Sequence, residues 1–230
     1  MRKKPLVIIG IIAAAVLVLG AVGVLIGVNV YRSSAADAES PAPTVAAATA
    51  TDASDVDLAG EWTVASGSYA GYRVDEVLNG GDVTVTGRTE DVTGTVSSDG
   101  TTITAATIVV DLTTVATDNG NRDDYFRETA LQTDTYPEAT FTLTEPITGI
   151  ESLADGGTVT ATVTGELTLH GQTVPVTAEV EAALNGEQVQ IAGSVPITFA
   201  DYGVEAPNLG FVQVEPTGSI EFLVALDRAA

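Results

Sequence analysis

His170 is the single histidine of a 230-residue chain that has no cysteine. Nucleophilic catalysis would therefore have to pair a Ser or Thr with that one imidazole or with a carboxylate. The imidazole precedes Gly171 between two alternating segments, where a polar ring is an ordinary turn residue. Among 31 acidic residues some carboxylates fall near one another by chance, so no glycosidase-like pair stands out. Asp118-Asn119-Gly120-Asn121-Arg122-Asp123 looks like a calcium loop at first sight, but an EF-hand alternates its ligands and places glycine sixth. Here glycine is third and the fifth place holds Arg122, which would repel a cation. Neither a catalytic set nor a metal set emerges, and we expect a non-enzymatic protein with no catalytic residues, no metal and no covalent cofactor.

The segment from Asp118 to Phe141 that contains this loop interrupts an otherwise strand-like chain. Asp118 or Asn121 can cap a short helix, and Asp123 with Arg127 at four-residue spacing can support it, acid before base. Phe126 and Ala130 share a face of that helix with Leu131 beside them, so its apolar side can lie on the mouth of a barrel. Tyr136-Pro137 then forces an extended return into a strand near Thr140.

The elements around that break alternate strictly. Val159, Ala161, Val163, Gly165, Leu167 and Leu169 interleave with polar residues, and Val174, Val176, Ala178, Val180, Ala182 and Leu184 do so again after the tight turn at His170-Gly171-Gln172. Shorter runs occur at Val83 to Val85, Val92 to Val96, Ala106 to Val110, Phe141 to Leu143, Val189 to Phe199 and Ile220 to Leu226. About eight strands are expected, joined by hairpin-length connections everywhere except across Asp118 to Phe141. Long antiparallel strands with one apolar face suit an all-β up-and-down barrel, whose closure removes the exposed edges; a two-sheet sandwich is the alternative. Gly94, Ala161, Gly165, Ala178 and Gly193 face inward, either leaving a cavity or serving as bending and tight-packing points.

The N-terminal part is different in kind. Residues 1–5 carry Arg2, Lys3 and Lys4, and Leu6 to Val30 contain no charge, a length that as a helix of about 1.5 Å per residue spans the roughly 30 Å hydrocarbon layer. The expectation is a basic cytoplasmic tail, a single transmembrane helix over residues 6–30 acting as a signal-anchor, and everything beyond it extracytoplasmic. Secretion after cleavage near Ala36 or Ala38 is the alternative. Residues 31–59 are rich in Ala, Ser, Thr and Pro and read as a disordered linker, leaving residues 60–228 as the folded domain. Beyond Arg32, 31 acids face only Arg73, Arg88, Arg122, Arg127 and Arg228, a net charge of −26, which excludes nucleic acid as a partner. The oligomeric state is not encoded legibly, and a dimer is compatible with it.

Arg122-Asp123, Phe126-Arg127, Leu131, Tyr136-Pro137 and Thr140-Phe141 resemble the signature of the YceI-like family. The resemblance continues through Gly165-Glu166-Leu167-Thr168-Leu169-His170-Gly171, Val174-Pro175-Val176 and Asp201-Tyr202-Gly203, and spans about Gly60 to Leu226. It implies a lipocalin-like barrel of eight antiparallel strands enclosing an apolar pore for an isoprenoid-type or other long-chain lipid, without catalytic residues. The chain departs from the family in carrying a membrane segment where relatives are commonly free in the periplasm.

The expected lipid-lining residues are then the inward strand positions and the helix face: Phe126, Leu131, Phe141, Leu143, Val163, Leu167, Leu169, Ile197, Phe199 and Phe222. Arg122 and Arg127 would either meet a polar head-group or fasten the lid. The function expected is that of a membrane-tethered carrier or store of such a lipid. The alternative is a cell-envelope or stress-related interaction module that binds none.

Overall fold

The alternation from Thr158 to Leu169 becomes a twelve-residue strand paired with its successor along its whole length, from Thr158 against Ala183 to Leu169 against Gln172. The computed structural model describes residues 40–46 and 56–229. Within them lie β1 (Ala59–Val64), β2 (Tyr69–Leu78), β3 (Gly81–Thr89), β4 (Val92–Asp99), β5 (Thr102–Asp111), β6 (Glu138–Leu143), β7 (Ile147–Thr148), β8 (Thr158–Leu169), β9 (Gln172–Asn185), β10 (Gln188–Thr198) and β11 (Val212–Arg228). One short helix, α1 (Gly120–Tyr125), runs into a π-turn at Phe126–Ala130.

Eight of these strands close a ring of antiparallel neighbours in the order β1, β4, β5, β6, β8, β9, β10, β11, and β11 returns to β1 through Trp62 against Arg228 and Val64 against Leu226. Closure leaves no free sheet edge around the ring. With 17 residues, β11 is long enough to pair with β10 on one side and with both β1 and β2 on the other. The β2–β3 hairpin thus extends the wall beyond the ring at one end, and β11 bends to follow it between Val214 and Gly218.

Every alternating run named from the sequence falls in a strand, save that Phe199 starts a 3₁₀ turn just beyond β10. The eighth member of the ring, however, is β1 and not β3. β1 buries only Trp62, and on β2 the inward row Ala70, Tyr72, Val74 and Leu78 is broken by the buried Glu76 while Tyr69 and Val77 stand on the other side, so neither strand shows a clean apolar alternation. Two connections exceed hairpin length where short ones were expected. Residues 144–157 hold β7 and a 3₁₀ turn, and residues 199–211 run over the opposite end.

The two ends of the barrel are built differently. At one, Trp62, Leu153, Leu184 and Leu226 are almost wholly buried and pack across the bore, with the Trp62 indole donating to the Leu58 carbonyl at 3.2 Å. At the other, α1, the π-turn and the 199–211 connection cover a second cluster around Leu112, Val115, Leu131 and Tyr202.

The expected cytoplasmic tail over 1–5 and membrane helix over 6–30 lie outside the described residues, as do 31–39 and 47–55 of the expected linker. Among the described residues no helix is long and apolar enough to cross a membrane. Residues 40–46 lie along the outer wall. The Ser40 amide donates to Thr86 Oγ1 (3.3 Å), Arg73 and Arg88 donate to the carbonyls of Ser40 (2.5 Å) and Pro41 (2.6 Å), and the Ala46 amide donates to Gln190 Oε1 (3.2 Å). Both arginines also reach the carboxylate of Glu221, which this strap helps to bury although it points away from the bore.

Candidate functional site

Inward-facing small and branched residues leave the barrel hollow. A cavity of about 170 Å³ runs through the ring, and every residue lining it is Ala, Val, Ile, Leu or Phe. Roughly 10–15 Å³ suffices to hold one water, and an apolar void of this kind stays dry and takes apolar guests. A second cavity of about 140 Å³ lies under the lid. The two share Ala70, Val110, Ala139 and Ile220, which form a waist between them. From Val159 in the first to Leu169 in the second is ten residues of β8. At about 3.4 Å each and a tilt of about 40°, that is roughly 25 Å along the barrel axis. The shape suits a long, narrow, apolar molecule.

All ten residues expected to line a lipid path face these cavities. Phe141, Leu143, Val163, Leu167 and Phe222 line the first, and Phe126, Leu131, Leu169, Ile197 and Phe199 line the second. Sequence reasoning missed the waist and the blind end, where Ile150 and Leu153 come from the irregular 144–157 connection and Ala70 from β2, whose inward row is interrupted by Glu76. It also gave no role to Tyr202, although that residue sits in the Asp201-Tyr202-Gly203 motif, the one signal that could have singled it out.

The small inward residues divide by role. A Cβ on Gly165 would land on the ring of Phe141, and one on Gly193 would stand 2.8 Å from Cζ of Phe222. These glycines let two large rings lie flat against the wall instead of across the bore. Ala161 and Ala178 border the open space directly.

The lid is held by polar contacts that point away from the cavities. Asn119, rather than Asp118 or Asn121, caps α1 by accepting from the Asn121 amide, and Asp123 accepts from the amide (2.9 Å) and hydroxyl (2.7 Å) of Thr117 instead of pairing with Arg127. The first helical turn is oriented by Asp123 as a buried acceptor, which removes it from reach of Arg127. Arg127 instead bonds Asp124 Oδ1 (3.0 Å) and the Val115 carbonyl (3.3 Å). Arg122 bridges Asp118 (2.7 Å) and Glu76 on β2 (3.4 Å), so it ties the lid to the hairpin. Neither arginine lines a cavity. Phe126 stacks on Tyr72 of β2, centroids 5.2 Å apart and planes 12° from parallel. Burial pushes the Tyr72 phenol well above its ordinary range.

His170 and Gly171 both take positive φ, 49° and 73°, as a two-residue hairpin turn requires. The imidazole Nδ1 lies 3.0 Å from the Tyr202 carbonyl, and the ring meets Tyr136 edge-on at 4.8 Å, so it pins the hairpin to the 3₁₀ turn. Tyr202 itself is almost completely buried and lines the second cavity, and its hydroxyl has no hydrogen-bond partner among the described residues. Burial, aided by the charge of Asp201, raises its pKa, so it is a neutral donor. The one charged residue lining that cavity is Glu205. Among the described residues, no three His, Cys, Asp or Glu side chains are grouped to hold a metal ion.

A family model described as a YceI-like domain matches residues 62–226. No curated protein matches the sequence. Among solved structures, the fold is similar to a polyisoprenoid binding domain from Saccharophagus degradans implicated in plant cell wall breakdown, with 22% identity over 73% of this chain and 98% of that one and a TM-score of 0.60. It is also similar to BcnA of Burkholderia cenocepacia, with 24% identity over 74% of this chain and 99% of that one and a TM-score of 0.53.

Proposed function

The chain belongs to the YceI-like family, and from that premise we propose that it is an extracytoplasmic, membrane-tethered protein that sequesters or ferries an isoprenoid-type lipid in its barrel. The family and the barrel fold support lipid binding in general. The single observation that carries the finer reading is the pair of adjoining cavities, apolar from the blind end to the waist and ending at one unpartnered phenol. Each methylene buried there contributes roughly 0.8 kcal/mol, so the chain of the ligand supplies most of the affinity and the head mainly sets direction.

The head would lie beneath the lid. A phenol that stays protonated donates to a neutral oxygen, and no cation lines that cavity, which favours a hydroxyl, carbonyl or ether over a diphosphate. The polyisoprenoid binding named for the Saccharophagus relative agrees with this class of ligand. Tethering rests on the uncharged stretch Leu6 to Val30 behind three basic residues.

The deciding experiment is organic extraction and mass spectrometry of the full chain purified from its native host. A stoichiometric long-chain lipid with a neutral head is expected. Recovery of protein with no such lipid would overturn the carrier reading in favour of an envelope interaction module.

A further inference from the structure

The wall residues that reach the blind end stop lining the cavity in step. On β9 Ala182 lines it and the next inward residue, Leu184, does not; on β11 Val224 lines it and Leu226 does not. Leu184 and Leu226, each 2% exposed, pack with Leu58 and Trp62 in a sealed layer. Ile150 and Leu153 belong to that buried cluster and also border the open space. Val96, Val189 and Val224 do so too, but they are wall residues held in strands, whereas Ile150 and Leu153 come from the 144–157 connection. These two side chains form the floor of the bore.

The floor is held by main chain and not by the side chains it presents. The Gly149 and Ile150 amides donate to the Thr101 carbonyl at the β4–β5 turn (3.1 and 3.3 Å), the Leu153 amide donates to the Ile150 carbonyl (3.0 Å), and the Gly157 amide donates to the Ser152 carbonyl (3.1 Å). Residues 150 and 153 can therefore be shortened without releasing the turn that carries them. The other end of the path has its own fixed point, the buried Tyr202 hydroxyl.

We infer that Ile150 and Leu153 set the length of chain that the barrel accepts, as the stop against which the tail of the ligand rests while its head reaches Tyr202. This rests on the lipid-binding reading given above. A chain one isoprene unit too short leaves a void at the floor, whose lining loses its contacts, and a chain one unit too long drives the head past Tyr202 toward the lid. Each unit left outside forfeits the burial of five carbons, at least about tenfold in affinity. A bore open at both ends would hold ever longer chains more tightly, whereas a bore with a floor gives a preference that peaks.

The test is a competition. Full-length protein in detergent is equilibrated with an equimolar ladder of all-trans isoprenoid alcohols differing by one unit and repurified, and the retained alcohols are extracted and identified by mass spectrometry. Wild type should retain a narrow range with a single maximum. Ile150→Ala combined with Leu153→Ala removes six carbons where a unit has five, so the maximum should move one unit longer. Ala182→Phe adds a ring to the bore beside the floor and leaves the sealed layer intact, so the maximum should move at least one unit shorter. The detergent background is common to all three proteins, so a difference between them reports the bore. A maximum that stays put in Ala182→Phe, or in the double-alanine variant shown to be folded by circular dichroism, overturns the length stop and leaves lipid binding standing. Retention by wild type that grows with length and never peaks overturns the stop as well. Wild type that retains nothing from the ladder overturns the lipid-binding reading and the stop together.

Discussion

At the scale of single residues, the bore owes its width to glycines opposite aromatic rings. Gly165→Val would drive Phe141 into the cavity. We expect it to lower the amount of lipid extracted per protein and, as an overpacked site, to cost about 1–3 kcal/mol, read from denaturant unfolding. Tyr202→Phe removes a buried hydroxyl that the protein leaves unpartnered. Its stability without lipid should hold or rise, and affinity for a long-chain isoprenoid alcohol should fall by up to about tenfold, the worth of one neutral hydrogen bond. Calorimetry on both states separates the two effects. Tyr72 and Tyr202 also give a pH signature. Their folded-state pKa values are raised, so their contribution to stability is complete below the ordinary tyrosine pKa of about 10 and is lost as pH rises through the folded values. Alkaline titration of wild type and of Tyr72→Phe, followed by near-ultraviolet circular dichroism, should show earlier loss of structure in wild type.

At the scale of elements, the lid is a weak unit clamped at a few points. α1 has six residues, far too few to be stable alone, so its order depends on Asn119, Asp123 and the bridge from Arg122 to Glu76. Arg122→Ala should speed hydrogen exchange across residues 120–131 and quicken lipid release, with β8 and β9 unchanged. Equal protection in the variant would show that Phe126 on Tyr72 is the true clasp. The elements also show what was legible in sequence. β8 and β9 could be read because their faces separate cleanly, and so could the residues they send inward. β1 and β2 could not, because β1 buries a single side chain, Trp62, and the inward row of β2 is interrupted by Glu76. Arg73 and Glu221 face outward yet are covered by the strap, and a strap that contributes mostly backbone carbonyls leaves no pattern of its own. The apolar face of the lid was readable from Phe126, Ala130 and Leu131. Its polar clamps were not, since Asp123 found Thr117, a partner outside the helix, and not Arg127 four residues on.

At the scale of the whole molecule, the charge of −22 makes compactness costly at low ionic strength. Salt with a Debye length of about 3 Å at 1 M screens this repulsion, so the thermal midpoint should rise between 20 mM and 1 M sodium chloride, measured by scanning calorimetry. An unchanged midpoint would mean that the acids are spaced widely enough to ignore one another.

The seam that closes the ring joins Trp62 to Arg228, nearly the first residue of the barrel to nearly the last. No shorter piece of the chain can complete the wall, and a contact so distant in sequence is among the slowest to form. The hollow therefore first exists when the last strand arrives. Whatever occupies the bore can be laid in place as the barrel shuts, before any door is needed.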